Sequence, residues 1–206
     1  MINQVTGPNS LRAALNATVS AGVIGLFSVL FNYSAHIAEA GYLLLPAKKA
    51  LEQSSEKENK NLTKNQWVSA RQSALKAWEA FPEDPSPPSV MAMLYLERTR
   101  RLTDPEIAKI YAEEAVVWAT RSKNMRPTNP WATAFLALAK AEQGASPQEV
   151  LMLWEQANKC ARYEFDVQIL LLSTATRLKG NEPGEINMWR QQMKRSQSGR
   201  LRGIVQ

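Results

Sequence analysis

The chain has 206 residues and a mass of 23.0 kDa, which is enough for one domain or for a domain with an anchor. Its hydrophobic fraction of 45% and charged fraction of 21% are typical of a globular protein and exclude wholesale disorder. The single cysteine, Cys160, excludes an intramolecular disulfide and any cysteine-built zinc or iron–sulfur site. The single histidine, His36, excludes a multi-histidine metal site.

The first element along the chain is an apolar segment from Ala13 to Ala38 that contains no Asp, Glu, Lys or Arg. Its core ends at Phe31, and nineteen helical residues reach roughly 28 Å, close to the bilayer core of about 30 Å. We therefore expect a single-pass transmembrane helix, or uncleaved signal anchor, over residues 13–35. A cleaved signal peptide remains an alternative because Ala38-Glu39-Ala40 matches a cleavage pattern, and a buried helix of a soluble domain is another.

The charges that flank this segment predict its orientation. Arg12 precedes it, and a base in front of a short N-terminal segment keeps that end in the cytoplasm. We expect residues 1–12 in the cytoplasm and residues 40–206 outside it. In a bacterium this is an inner-membrane protein with a periplasmic C-terminal domain, whose first partner is the lipid bilayer.

Small residues recur at intervals of four along the same segment. Such a face lets two membrane helices approach closely, although small residues are common in membrane helices in any case. The candidate packing face consists of Ala13, Ala17, Ala21 and Gly25.

The rest of the chain divides by composition into three parts. Residues 36–65 are predicted to form a polar helical linker, because their second half is polar and of mixed charge. Residues 66–196 carry helix patterns broken by Pro, Gly and Asn and no sustained period-two alternation, so no strand is predicted. Two helix starts are marked by a capping side chain before a proline, at Asp104-Pro105 and Ser146-Pro147.

A repeat is visible within residues 66–196. One run of small residues ending in proline recurs with the same spacings of 4, 3 and 5, at Ala70, Ala74, Ala77 and Pro82 and again at Ala115, Ala119, Ser122 and Pro127. Small residues let the second helix of a pair pack closely on the first, and the proline stops it.

These runs resemble the second-helix signature of tetratricopeptide repeats, and the run from Met91 to Tyr95 resembles the first-helix signature. The match is degenerate, because Ala92 stands where that family has glycine and Lys140 where it has an aromatic residue. The expected fold is all-α: an N-terminal transmembrane helix followed by a short α-solenoid of degenerate tetratricopeptide-like helix pairs.

The resemblance implies a concave surface lined by the first helix of each pair. Trp131 is the expected anchor for a partner, with packing between repeats as its alternative role. The inward Lys and Asn clamp of chaperone-binding members is not supported. The candidate partner groove consists of Met93, Glu97, Trp131, Leu138, Glu142 and Arg177.

The chain ends in a basic segment within which residues 197–206 are predicted to be a flexible tail. The net charge is +6, and from residue 190 to 206 there are five bases and no acid. The tail is interpreted either as a contact for an anionic lipid, polymer or partner, or as a solvated terminus. Its bases are Arg190, Lys194, Arg195, Arg200 and Arg202. The remainder is nearly balanced in charge, so no nucleic acid is expected as a partner.

The motifs of common catalytic chemistry are missing from the sequence. There is no Walker-type phosphate loop, no G-x-G-x-x-G and no G-x-S-x-G. We predict no catalytic, metal or cofactor residues, no cofactor and no small-molecule substrate, and therefore not an enzyme. Cys160 is predicted to be a small buried side chain and His36 to be interfacial.

The chain is similar to the VpsP-type polysaccharide biosynthesis accessory proteins in its length, its N-terminal apolar anchor and its degenerate repeats. It also has a similar Asn-Pro-Trp start to a repeat helix, at Asn129-Pro130-Trp131. This resemblance implies a non-catalytic scaffold of an exopolysaccharide biosynthesis or export complex, with other envelope proteins as partners. Alternatives are an assembly factor for a secretion, pilus or division machine, and a module that binds an anionic polymer through the tail and bases such as Arg98, Arg100 and Arg101.

Overall fold

The computed structural model describes residues 8–56 and 62–161, together with the helical residues Val167, Leu170, Leu171 and Thr174. Over these residues the chain forms α-helices and no strand, as the missing period-two alternation predicts. The six continuous helices are α1 (Pro8–Glu56), α2 (Lys64–Ala80), α3 (Ser86–Thr99), α4 (Pro105–Met125), α5 (Pro130–Gln143) and α6 (Pro147–Cys160).

Side-chain caps and prolines set the helix boundaries. The two predicted starts are confirmed, since the Glu106 amide donates to Asp104 Oδ1 at 2.9 Å and the Glu149 amide donates to Ser146 Oγ at 3.3 Å. A capping box at Thr63, which was not among the predicted helix starts, begins α2. These caps satisfy amide groups that a helix N-terminus leaves without intrahelical acceptors.

The helices pack in chain order, each on the next, and α3 also contacts both α1 and α5. Short connections between α2 and α6 make consecutive helices antiparallel. The small residues of the repeated runs all lie on buried faces: Ala70, Ala74, Ala77, Ala115, Ala119 and Ser122. These small residues let α2 pack closely on α1 and α4 pack closely on α3.

The structure differs from the predicted polar linker over residues 36–65. Helix α1 runs without a break from the apolar segment to Glu56, and Ala40, Leu44 and Ala47 on it are buried. These residues are spaced by four and three, so they share one face, and that face packs on α2. The polar and charged residues that follow Ala47 dominate the composition of the segment and obscure this face.

Large apolar side chains of α3 and α5 fill the centre of the domain. Met91 and Leu94 of α3 are fully buried, and the Trp67 indole of α2 donates a hydrogen bond to the Leu94 carbonyl oxygen at 2.9 Å. Trp67 also contacts the rings of Tyr95 and Tyr111, both at 5.5 Å between centroids. Edge-to-face aromatic contacts of this kind join α2, α3 and α4.

We expect Leu94→Ala to lower the free energy of unfolding by about 2–5 kcal/mol, because Leu94 is 0% exposed and its truncation leaves a cavity. Urea unfolding of the full chain in mild detergent, followed by tryptophan fluorescence, measures the change. Met152→Ala is the control, since Met152 is 72% exposed and should change stability by less than about 0.5 kcal/mol. Equal losses in the two variants would contradict the described core.

Candidate functional site

The most exposed apolar surface of the described chain lies on the first part of α1. An 18-residue window within Thr18–Ser54 has a mean hydropathy of 1.4, and none of that window is buried. Ile24 is 66% exposed and Phe31 is 77% exposed. By length and composition, α1 is the one described helix that is able to cross a membrane. Exposed apolar area on this scale marks a surface of interaction with a membrane or a protein partner.

The helical domain begins directly where this apolar surface ends. The Tyr33 ring meets the Phe81 ring edge-on, with 5.3 Å between centroids, and Phe81 follows the last residue of α2. Further along, the Ser73 hydroxyl donates to the Leu43 carbonyl oxygen. These two contacts set α1 and α2 antiparallel, with the end of α2 beside the end of the apolar segment.

The predicted membrane-helix packing face lies on α1. Ala13 and Ala17 fall within the helix, and Ala21 and Gly25 are exposed. A side chain built at Gly25 would meet no atom within 4 Å. The spacing of four places these residues on one face, as predicted. Whether a second helix uses this face stays a prediction.

The predicted partner groove is partly closed. Every residue of α5 from Ala132 to Ala139 is buried, and Leu138 is 1% exposed. Leu138 is therefore a core residue and not a surface contact. The physical reason is that α3, α4 and α6 all pack on α5, so the middle of this helix has neighbours on every side.

The other groove residues have different surroundings. Met93 is half-buried against the core, and Trp131 is half-buried with its ring 5.7 Å from that of Phe135. Glu142 lies 3.4 Å from the Arg100 Nε, so it joins α5 to the end of α3. Arg177 lies outside the described residues.

Glu97 is engaged in a polar cluster that joins the ends of α1 and α3. The Arg101 guanidinium contacts the Glu97 carboxylate and donates to Ser54 Oγ at 3.0 Å. The Ser54 hydroxyl in turn donates to Glu97 Oε1 at 2.5 Å. Desolvation by burial lowers the pKa of Arg101 below its ordinary value.

These contacts bear on the anionic-polymer alternative. Arg100 and Arg101 were candidates for polymer binding, and both are paired with carboxylates inside the domain. Their charges are therefore largely neutralised locally. The five bases of the tail, Arg190, Lys194, Arg195, Arg200 and Arg202, lie outside the described residues.

A second cationic contact joins α2 to α4. The Arg121 guanidinium lies 4.8 Å from the centroid of the Trp118 ring and 5.3 Å from that of Trp78. The two indoles are themselves perpendicular at 6.4 Å. A cation between two aromatic rings holds the helices in register, so this arrangement is structural.

Cys160 and His36 are the last two residues whose surroundings were predicted from the sequence. Cys160 is exposed, so the prediction of a buried side chain is wrong, because the last turn of α6 has that face open to solvent. His36 is exposed and its Nδ1 lies 4.0 Å from the Glu39 carboxylate on the same helix. Over the described ranges there is no cluster of His, Cys, Asp or Glu that could hold a metal ion.

No protein-family model matches the chain, and no curated protein matches it.

We expect Glu97→Gln to lower the free energy of unfolding by about 1–2 kcal/mol, because it leaves the half-buried Arg101 guanidinium without its carboxylate. Glu149→Gln is the matched control. Glu149 pairs with Lys140 at 2.9 Å, but its side chain is 47% exposed, so its loss should change stability by less than about 0.5 kcal/mol. Thermal unfolding of both variants measures the difference. A loss of stability in Glu97→Gln as small as that expected for Glu149→Gln would show that the Glu97 cluster adds nothing to stability.

Proposed function

We propose that the protein is a non-catalytic scaffold, held at a membrane by α1, that presents a helical domain to other envelope proteins. The observation that carries this proposal is the continuity of α1, which runs from an exposed apolar segment into the domain core. A helix shared by anchor and core couples the two mechanically, whereas a flexible linker would leave the domain free to rotate.

The packing pattern supports a repeat architecture. The proposed array has three pairs of helices in chain order. The buried half of α1 pairs with α2, α3 pairs with α4, and α5 pairs with α6. In such an array the first helices of consecutive pairs are neighbours, and α3 contacts both α1 and α5. The proposed array of tetratricopeptide-like pairs therefore starts inside α1, earlier than residue 66.

The proposed partner surface is narrower than the groove predicted from the sequence. Met93 and Trp131 keep partial exposure on the first helices, whereas the middle of α5 is closed. Tryptophan is a frequent energetic centre of protein interfaces. We therefore retain Trp131 as the proposed contact for a protein partner.

The proposed setting is the inner membrane of a bacterium, with the domain in the periplasm and an exopolysaccharide biosynthesis or export complex as the partner. Its support is the resemblance in architecture to the VpsP-type accessory proteins. Another envelope machine, for secretion, pili or division, is the alternative setting. Ion pairing of Arg100 and Arg101 disfavours the polymer-binding alternative.

We expect the double substitution Ile24→Arg and Phe27→Arg to release the protein from membranes. Both side chains are exposed on α1, and an arginine near the centre of a membrane helix costs about 2.5–3.5 kcal/mol. Resistance to alkaline extraction and the mass of the mature protein measure anchoring, and reporters fused after residue 206 measure orientation.

The matched control is Ile107→Arg with Ile110→Arg, because these side chains are exposed on α4 outside the apolar segment. The control should stay in the membrane fraction. An extractable or shortened wild-type protein would contradict the anchor. A reporter active only in the cytoplasm would contradict the periplasmic orientation alone.

Affinity purification of the full chain in mild detergent tests the partner. We expect integral-membrane enzymes of glycosyl-polymer synthesis to co-purify, and Trp131→Ala to reduce their recovery about tenfold or more, as for an interface hot spot. Lys123→Ala, at the end of α4, is the control and should leave recovery unchanged. Recovering none of these enzymes, with normal polymer output from a deletion strain, would contradict the exopolysaccharide role.

A further inference from the structure

A cavity of about 480 Å³ lies between α1 and α2, just above the apolar segment. One wall is largely apolar and is formed by Tyr42, Leu45 and Pro46 of α1. The other side carries Lys49 of α1 with Gln72 and Lys76 of α2. The residues that line it include two bases and no acid, so the cavity is complementary to an anionic group with an apolar part.

The two lysines are available for a ligand. Both side chains are exposed, and among the described residues neither forms an ion pair or a side-chain hydrogen bond. An ammonium group has three donors and no acceptor, so each lysine can donate to phosphate oxygens. Gln72 adds an amide that is also exposed at the cavity.

Pro46 gives the apolar wall a polar atom. Proline has no amide hydrogen, so the carbonyl oxygen of Tyr42, four residues earlier, loses its helical donor. The neighbouring Leu43 carbonyl oxygen accepts a hydrogen bond from the Ser73 hydroxyl. A ligand that combines an anionic phosphate with a hydroxyl group would meet the lysines and the Tyr42 carbonyl together.

The contacts between α1 and α2 place this cavity at the membrane surface. Ser73 is opposite Leu43, and Phe81 is opposite Tyr33, so Lys76 lies level with the α1 residue about three positions before Leu43. That level is about 7–8 Å beyond residue 35, where the expected transmembrane helix ends, at 1.5 Å per residue. Lipid headgroups occupy about 5–7 Å on each side of the hydrocarbon core, so the backbone of Lys76 lies at the outer edge of the headgroup layer.

An exposed strip of α1 continues from the cavity towards the apolar segment. Tyr42, Ala38, Ala35 and Phe31 are spaced by four, three and four residues, so they share one face. All four are exposed. The strip offers an acyl chain a path of about 16 Å along the helix below the cavity.

We propose that this cavity binds the phosphate and glycerol headgroup of an anionic membrane lipid, with an acyl chain along α1. Lys49 and Lys76 hold the phosphate, and the Tyr42 carbonyl accepts a hydrogen bond from a headgroup hydroxyl. This proposal rests on the insertion of α1 proposed above. It assigns to the α1–α2 junction a lipid-selective role beyond anchoring.

Native mass spectrometry of the full chain tests the proposal. The protein is reconstituted with equal amounts of phosphatidylglycerol and phosphatidylcholine and is then released from mild detergent. We expect the wild type to retain phosphatidylglycerol preferentially. We expect Lys49→Gln with Lys76→Gln to reduce that preference about tenfold or more, because each base near an anionic surface contributes substantially to binding.

The matched control is Lys48→Gln with Lys64→Gln, which removes the same charge from exposed lysines of the same two helices outside the cavity. The control should keep the preference. An equal loss in both double variants, or no loss in the first, would overturn the lipid site. Displacement of the retained lipid by millimolar inorganic phosphate would also overturn it, since the site would then take free phosphate.

Alkaline extraction of the same samples separates this proposal from the anchor. A membrane-integrated wild-type chain without a lipid preference would refute the lipid site and leave the anchor intact. A wild-type chain that extracts fully would refute the anchor, and the lipid site with it.

Discussion

The rest of the structure depends on the close packing of α1 against α2. Alanine at positions 40 and 47 of α1 and at positions 70, 74 and 77 of α2 removes side-chain bulk from the two buried faces, so the helices approach closely. This contact holds the end of the apolar segment against the end of α2 at the Tyr33–Phe81 ring pair. The apolar segment and the domain therefore share one continuous helix and one interface.

Small side chains on buried helix faces also occur in the remainder of the domain. The repeated small residues of α4 lie buried, as do five alanine and threonine residues within α5. Phe135, Leu136 and Leu138 lie among these small residues, and α5 has neighbours on three helices, so it is enclosed along its middle. A helix with apolar side chains on every face suits the interior of the domain better than the lining of an open groove.

Polar contacts at the helix ends limit the directions in which these narrow helices can slide. Arg101 and Glu97 tie α3 to α1 through Ser54, and Arg100 with Glu142 ties α3 to α5. The Ser54–Glu97 and Arg100–Glu142 contacts each join residues that are more than forty positions apart in the sequence. Charges that look solvated in the sequence thus fix how α3 stacks on α1 and on α5. The lysines beside Pro46 differ, because they face a cavity instead of a carboxylate.

The sequence by itself determined the helical class, the apolar segment, two capped helix starts and the small residues of α2 and α4. These follow from local chemistry: charge-free length, cap side chains before proline, and spacing on a helix. Only the tertiary structure decided that α1 extends into the core, that Leu138 is enclosed and that Cys160 is exposed. Burial depends on which helices meet, and this choice is made by long-range packing that a periodic pattern does not contain.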